Sequence, residues 1–141
     1  MKFVLDCSVT MAWCFEDETN PYTEWILDSL SKGYEAIVPP LWRLEVINVL
    51  LLAIRKNRIN SLTAHNFKNT LTQLPITIVE NASGRVFDTV FELAKELNLS
   101  AYDAAYFELA FREKIPIATQ DLAVIKAAQR QKIAVLKGGK I

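Results

Sequence analysis

Two hydrophobic patterns alternate along the chain. Short runs rich in apolar and β-branched residues predict five strands, over 2–5, 36–38, 76–79, 115–118 and 134–136. Longer runs with apolar residues three and four positions apart predict the helices between them. Strands separated by helices require crossover connections, which favour parallel pairing. The chain is therefore predicted to form a single domain over 1–141, with a three-layer α/β/α fold around a mostly parallel central sheet.

Proline, glycine and capping residues mark the predicted helix ends. Pro21 begins a helix, Gly33 is its predicted C-cap, and a long apolar helix follows over 41–57. Ser61 is the predicted N-cap of a helix that ends before Pro75. Further helices are predicted over 86–97, 101–114 and 121–132. The predicted buried stripe of the 86–97 helix is Phe87, Val90, Phe91 and Ala94.

Composition excludes several classes of protein. The 16 basic and 16 acidic side chains cancel, so no broadly cationic surface is available to coat a nucleic acid. The longest apolar run, 49–54, is far shorter than the ~20 residues of a membrane-spanning helix. Two cysteines do not make a disulfide framework, so a reducing, cytoplasmic location is expected. A polyanionic partner would have to be held by a local patch or by a metal ion.

Four acidic residues are predicted to converge at one edge of the sheet. Asp6 follows the first predicted strand, and Asp121 follows the fourth. Glu45 and Asp103 lie instead in early turns of their helices. Sites in open parallel sheets form beyond the carboxyl ends of the strands, so this edge is where a site is expected. All four acids converge there if the helices of Glu45 and Asp103 begin at the same edge.

Each acid alone also fits a purely structural role. Asp6 and Asp121 stand where helix N-caps are common, and Glu45 suits a solvent-facing position. Ser100 and Asp103 resemble a capping box with the shorter acid in place of glutamate. Together, however, these acids have apolar neighbours, and desolvation raises the pKa of such carboxyls unless a cation neutralises them. Carboxylate ligands suit Mg²⁺ or Mn²⁺, and a single histidine leaves no cluster for a softer metal.

Four segments around these acids carry a family resemblance. They are 4–8 (VLDCS), 40–45 together with Asn48, 99–106 (LSAYDAAY) and 117–121 (IATQD). The YDAAY sequence within the third segment is the most specific of these motifs. In these segments the chain resembles the PIN-domain ribonucleases, most of all the VapC-type toxins of bacterial and archaeal toxin–antitoxin pairs. The resemblance extends nearly from end to end.

This resemblance implies an activity, a cofactor and partners. It implies an endoribonuclease that is usually a homodimer, is inhibited by a cognate antitoxin and acts as the toxin of a type II toxin–antitoxin system. It implies an acidic quartet that binds Mg²⁺ or Mn²⁺, formed by Asp6, Glu45, Asp103 and Asp121. It also implies supporting polar side chains nearby, at Ser8, Asn48 and Thr119.

The expected reaction is metal-dependent hydrolysis of an RNA phosphodiester bond. A bound cation lowers the pKa of water and stabilises the leaving oxygen. Asp6 and Asp103 are expected as direct ligands, and Asp121 as a ligand or through a water. Glu45 is expected to hold a metal-bound water or a second cation, and Arg43 is a candidate for substrate binding. Single-stranded or loop RNA is the expected substrate, because an exposed loop can present its backbone to a cleft.

Two other functions fit the same residues. A Mg²⁺-dependent phosphatase would use Asp6 as its nucleophile. Phosphatases of that haloacid-dehalogenase-like kind place a second aspartate two residues later, where this chain has Ser8. A catalytically inactive PIN-like module would bind its partner without cleaving RNA. Metal-dependent cleavage of RNA separates the nuclease from both alternatives.

Overall fold

A four-stranded parallel sheet forms the centre of the molecule. The computed structural model describes residues 1–80 and 86–137. The strands β1 (Lys2–Leu5), β2 (Glu35–Val38), β3 (Ile76–Ile78) and β4 (Ile117–Ala118) pair in the order β3-β2-β1-β4. Every pairing is parallel, as the alternation of strands and helices predicts.

Helices cover both faces of this sheet. Phe3, Val4 and Leu5 of β1 are all completely buried, although successive side chains of a strand point to opposite faces. This burial confirms the predicted three-layer α/β/α arrangement. None of the helices in the described part of the chain is long and apolar enough to cross a membrane. They are α1 (Cys7–Ala12), α2 (Pro21–Leu30), α3 (Leu41–Arg55), α4 (Ser61–Thr72), α5 (Phe91–Leu97), α6 (Ala101–Glu113) and α7 (Leu122–Gln131), with a 3₁₀ turn at Glu16–Glu18 and a π turn at Val86–Val90.

The strand order predicts a crevice at the carboxyl end of β1. The chain runs from β1 outward through β2 and β3, and then returns to place β4 on the other side of β1. The connections on the two sides of β1 therefore diverge at its carboxyl end, which is where open parallel sheets bind ligands. The parallel register aligns Leu5 with Ala118. The next residues, Asp6 and Thr119, consequently emerge side by side at this edge.

The last two predicted strands are shorter than their hydrophobic patterns indicate. The strand predicted over 115–118 begins only at Ile117, because the N–H of Ile115 still bonds to the Ala110 carbonyl at the end of α6 and Pro116 has no N–H to donate. The strand predicted over 134–136 is reduced to a single bridge between Ile117 and Val135. Because β4 has only two residues, it offers too few backbone N–H and C=O groups to pair with a longer strand beside it.

Three predicted helix ends are also corrected. Helix α2 ends at Leu30 with Ser31 as its C-cap, so Gly33 lies beyond the predicted C-cap position. Ser61 is the first residue of α4 rather than its N-cap, because the Asn60 side chain accepts the N–H of Thr63 at 2.8 Å. The helix predicted to reach Asn57 ends at Arg55. Asn57 adopts a left-handed conformation with φ of 58°, which terminates the helix.

The buried stripe predicted for 86–97 is wrong at its two aromatic positions. Phe87 is 88% exposed and Phe91 is 60% exposed. Hydrogen bonds in a π turn run from i to i+5, so the residues of Val86–Val90 are out of register with an α-helical stripe. The side chains that turn inward are Val90 and Leu97, with Leu93 and Ala94 partly buried.

Candidate metal centre

Asp6 stands directly after β1 and is only 6% exposed. It occupies the N-cap position of α1, yet its side chain does not cap the helix. Instead, one carboxylate oxygen, Oδ2, accepts both the Thr119 hydroxyl at 2.6 Å and the Ser8 hydroxyl at 3.1 Å. The backbone N–H of Ser8 also interacts with this carboxylate and lowers its pKa; among the described residues, no side chain donates to the other oxygen, Oδ1. Asp6 therefore has one oxygen held by the fold and one available to a ligand.

The surroundings of Asp6 oppose its negative charge. Burial raises the pKa of Asp6, and the charge of Asp121 raises it further. The hydrogen bonds from Thr119 and Ser8 lower the pKa, but the balance remains above the ordinary value. A cation beside the free oxygen would remove this penalty.

Asp121 caps a helix and still leaves one oxygen free. Its Oδ1 accepts the N–H of Ala123 at 2.8 Å and that of Val124 at 3.3 Å, at the start of α7. The N-cap interpretation is therefore right for Asp121, while Oδ2 accepts no hydrogen bond from the described residues. The Asp121 N–H donates to the Thr119 hydroxyl at 3.0 Å. Thr119 thus links the two acids, since the same hydroxyl donates to Asp6.

Replacement of Thr119 by valine tests this link. Valine keeps the volume of threonine but removes the hydroxyl that lowers the pKa of Asp6. The acid limb of the pH–rate profile for RNA cleavage should therefore move to higher pH. The rate at neutral pH should fall by about 10-fold, as is typical when a partner of a metal ligand is lost. Ser8→Ala is the matched control: its bond is longer and its residue is exposed, so a smaller shift is expected. An unchanged acid limb in Thr119→Val would contradict this role.

Glu45 reaches the same region from the second turn of α3. Its Oε1 accepts the Tyr106 hydroxyl at 2.6 Å, and its Oε2 accepts no hydrogen bond from the described residues. Burial raises the pKa of Glu45; the Tyr106 bond lowers it, and the charges of Asp6 and Asp103 raise it. Glu45 thus resembles Asp6: one carboxylate oxygen is hydrogen-bonded, the other is available to a ligand, and burial raises the pKa of the carboxyl.

Helix α3, which carries Glu45, is anchored close to Asp6. The Trp42 indole N–H donates to the Thr10 hydroxyl at 3.0 Å in a buried contact. Thr10 lies on α1, and its backbone N–H donates to the carbonyl of Asp6 at 3.3 Å. The start of α3 is therefore fixed to the helix that follows Asp6.

Asp103 is in the first turn of α6, where Ser100 is the N-cap. The N–H of Asp103 donates to the Ser100 hydroxyl at 3.0 Å. Burial raises the pKa of Asp103, as do the charges of Asp121 and Asp6, while the Ser100 hydroxyl lowers it. The N-terminal turn of α6 therefore faces the same negative region as the other acids.

Each of the four predicted acids thus lies within electrostatic reach of at least two of the others. Across 1–80 and 86–137, none of them takes part in an ion pair. Over the same residues, no three histidine, cysteine, aspartate or glutamate side chains lie close enough together to coordinate one metal ion. The structure brings the acids to one region without placing them at ligand distance, and the ligand set stays a prediction.

The other predicted site residues differ in their placement. Ser8 is exposed beside Asp6, and Asn48 is exposed on α3, three residues after Glu45 and on the same side of the helix. Arg43 precedes Glu45 by two residues, which places it on the far side of α3. There it lines a cavity between α3, α4 and β3 together with Lys68. The structure does not bring Arg43 to the acids, and its role in substrate binding stays a prediction.

The donor atoms fit a hard divalent cation. The free oxygens of Asp6, Asp121 and Glu45 belong to carboxylates, the ligands that Mg²⁺ and Mn²⁺ favour. Cys7 adjoins Asp6, but burial and the charges of Glu45 and Asp6 raise its pKa to about 12. Its thiol is therefore protonated at neutral pH when no metal is bound, and one thiol among carboxylates does not make a site for a softer metal.

One residue of this region escapes the sequence patterns. Tyr106 is the last residue of the YDAAY motif, but nothing in the hydrophobic pattern distinguishes it from an aromatic residue of the core. The usable signal is its spacing: residues three apart on a helix share a face, so Tyr106 lies on the side of α6 that carries Asp103.

Comparisons with known proteins agree with this architecture. One similar solved structure is PAE2754 from Pyrobaculum aerophilum, with a TM-score of 0.68 and 22% sequence identity. The match covers 90% of this chain and 84% of that one. Another is a chain of VapBC2 from Rickettsia felis, whose crystal structure contains a DNA fragment from the VapBC2 promoter; the TM-score is 0.70 and the sequence identity is 12%. The match covers 99% of this chain and the whole of that one. No curated protein matches the chain. The family model for the PIN domain matches residues 3–130, and the chain therefore belongs to the PIN domain family.

Proposed function

We propose that this chain is a metal-dependent endoribonuclease that hydrolyses RNA phosphodiester bonds, and that it acts as the toxin of a type II toxin–antitoxin system. PIN domains are generally nucleases, which supports the reaction class. One observation carries the proposal beyond the family. Asp6, Asp121 and Glu45 each have one carboxylate oxygen engaged by the fold and the other free, in a crevice where their charges repel.

The proposed ligands are Asp6, Glu45, Asp103 and Asp121. When bound, Mg²⁺ or Mn²⁺ supplies Lewis-acid chemistry toward water and the scissile phosphate. The chain's own contribution is orientation: the Thr119 hydroxyl fixes which oxygen of Asp6 is engaged by the fold. A phosphate would be repelled by four carboxylates alone, so substrate binding in this crevice requires the cation's charge.

The proposed substrate is single-stranded RNA or an RNA loop. With equal numbers of basic and acidic side chains, the protein lacks the general positive charge that holds duplexes nonspecifically. A crevice at the end of a sheet suits a splayed strand, whose backbone can approach closely. Arg43 remains a candidate contact for substrate that extends past α3.

The proposed protein partners are a cognate antitoxin and a second copy of this chain, met in the cytoplasm. The likeness to VapBC2 along nearly the whole chain supports an antitoxin partner. Large apolar side chains are also exposed, and contiguous exposed apolar surface typically marks protein interfaces; two groups of them lie close together along the chain or on neighbouring helices. These are Ile47, Leu51 and Leu62 on α3 and α4, and Val86, Phe87 and Phe91 around the π turn.

The direct test offers the purified protein four substrates: single-stranded RNA, a structured RNA, single-stranded DNA and a phosphate monoester. We expect cleavage of RNA in Mg²⁺ or Mn²⁺ and none in EDTA. Asp103→Asn should be inactive, while Asp28→Asn, the same substitution at an exposed acid of α2, should cleave like wild type. Hydrolysis of the monoester alone would favour the phosphatase. Metal binding without any cleavage would favour the inactive module.

The partner proposal has its own test in cells. Expression of the chain alone should arrest growth, and co-expression of the small gene beside it should relieve the arrest. Co-purification followed by mass measurement should show a complex that contains two copies of this chain. Normal growth with abundant folded protein would contradict the toxin role and leave the nuclease chemistry to be judged separately.

A further inference from the structure

The hydrogen bond between Tyr106 and Glu45 joins two helices that carry candidate ligands. Tyr106 is on α6, three residues after Asp103, and Glu45 is on α3. The Tyr106 hydroxyl donates to Glu45 Oε1 at 2.6 Å, across 61 positions of sequence. A bond this short is typical of a charged acceptor, and such bonds are stronger than those between neutral groups.

The two partners differ in freedom. Tyr106 is 1% exposed and belongs to the main hydrophobic core, so its ring is held by packing on all sides. Glu45 is half-buried, and its side chain has three rotatable bonds in a region that opens to solvent. The rigid partner sets the position of the flexible one, so the hydroxyl determines where the Glu45 carboxylate rests.

The bond also decides which oxygen remains available. Because Oε1 is engaged, only Oε2 of Glu45 is left to face the acids in the crevice. Helix α6 therefore carries Asp103 and, through Tyr106, restrains Glu45 on α3.

We propose that Tyr106 is a positioning residue that holds Glu45 so that a single carboxylate oxygen is directed toward the divalent cation. This inference rests on the proposed function, since it requires a cation at this site. Tyr106 itself touches neither the cation nor the RNA. Its action runs entirely through Glu45.

The first test compares Mn²⁺ binding by calorimetry in wild type, Tyr106→Phe and Tyr102→Phe. Phenylalanine preserves the ring and its packing and removes only the hydroxyl. We expect Tyr106→Phe to bind Mn²⁺ about 10-fold more weakly, as is usual when the partner of a metal ligand is removed. Tyr102→Phe is the matched control, because it makes the same change one turn earlier on α6 at a side chain that is 64% exposed. It should bind Mn²⁺ like wild type.

A double-mutant cycle separates positioning from a general structural effect. In a Glu45→Ala background, Tyr106→Phe should cause no further loss of Mn²⁺ affinity, because its target is gone. An equal loss in both backgrounds would overturn the inference. So would equal affinity of wild type and Tyr106→Phe, which would leave the metal site itself intact. If wild type binds no Mn²⁺ at all, the proposed function fails together with this inference.

A measurement that keeps Tyr106 in place covers the case in which Tyr106→Phe does not fold. The chain has four tyrosines, which can be labelled with ¹³C at Cζ and assigned by replacing the other three. Titration with Mg²⁺ should shift the Tyr106 resonance in step with binding, and Glu45→Ala should abolish that shift. A Tyr106 resonance that stays fixed while Mg²⁺ binds would overturn the proposal.

Discussion

Replacing Asp6 with asparagine is expected to reduce metal-dependent RNA cleavage by about 100- to 1000-fold, the range found when a group that stabilises developing charge is removed. The fold should survive the change. Both hydroxyl donors bond to the same oxygen, Oδ2, so the asparagine carbonyl can take that position and keep both bonds. Its amide nitrogen then replaces Oδ1, the oxygen left for the cation. The substitution removes a ligand atom and a charge without removing a structural contact.

Single-turnover cleavage of RNA in saturating Mn²⁺ measures this effect, and circular dichroism checks the fold. Asp28→Asn provides the control, since Asp28 is exposed and pairs with Lys32 on the surface of α2. Wild-type rates in a folded Asp6→Asn protein would remove Asp6 from the reaction. Loss of activity together with loss of structure would instead assign Asp6 a structural role.

The second large effect concerns stability. In EDTA at neutral pH, Asp103→Asn is expected to be more stable than wild type, while only wild type should gain stability from Mn²⁺. Burial and like charges raise the pKa values of Asp6, Glu45 and Asp103 in the folded chain. Their ionised forms therefore oppose folding at pH 7, and asparagine removes one such charge. A cation bound only by the folded state at 100 times its Kd adds about 2.7 kcal/mol to the free energy of unfolding.

The sign of the pH dependence follows from the same shifts. A carboxyl whose pKa is higher in the folded than in the unfolded chain stabilises the fold below the unfolded pKa, and this contribution is lost as pH rises through the folded pKa. Without metal, the contribution of these acids should therefore decline from acid toward neutral pH. Denaturant unfolding at several pH values, in EDTA and in Mn²⁺, measures both effects. A wild type that is indifferent to Mn²⁺ would contradict the metal site.

Local patterns predict the first three strands of the sheet well, because their determinants are local. The apolar run over 3–5 stands between Lys2 and Asp6, and the strand predicted over 2–5 forms β1 with those bounds. The rule that parallel strands place their carboxyl ends at one edge brings Asp6 and Asp121 to the same region, as the electrostatic influence of one on the other reflects. Their hydrogen-bonding partners are not predictable in this way. The contact between Tyr106 and Glu45 depends on how α6 packs beside α3, which no nearby residue specifies.

Periodicity also fails where the helix type changes. Phe87 and Phe91 have the spacing of a buried α-helical face, but Phe87 lies within the π turn and Phe91 directly follows it, and both side chains are exposed. Capping rules identify a structural role but cannot exclude a functional one, because the two oxygens of one carboxylate can serve different roles. Asp121 caps α7 with one oxygen and leaves the other free, so a structural role and a functional role are compatible at that position.

The bond from Thr119 to Asp6 spans 113 positions of the sequence. During synthesis, Asp6 is made 113 residues before its partner. A nascent chain consequently has an incomplete crevice until Thr119 has left the ribosome. If the protein cleaves RNA, the messenger that encodes it is exposed to a complete site only after that point of translation.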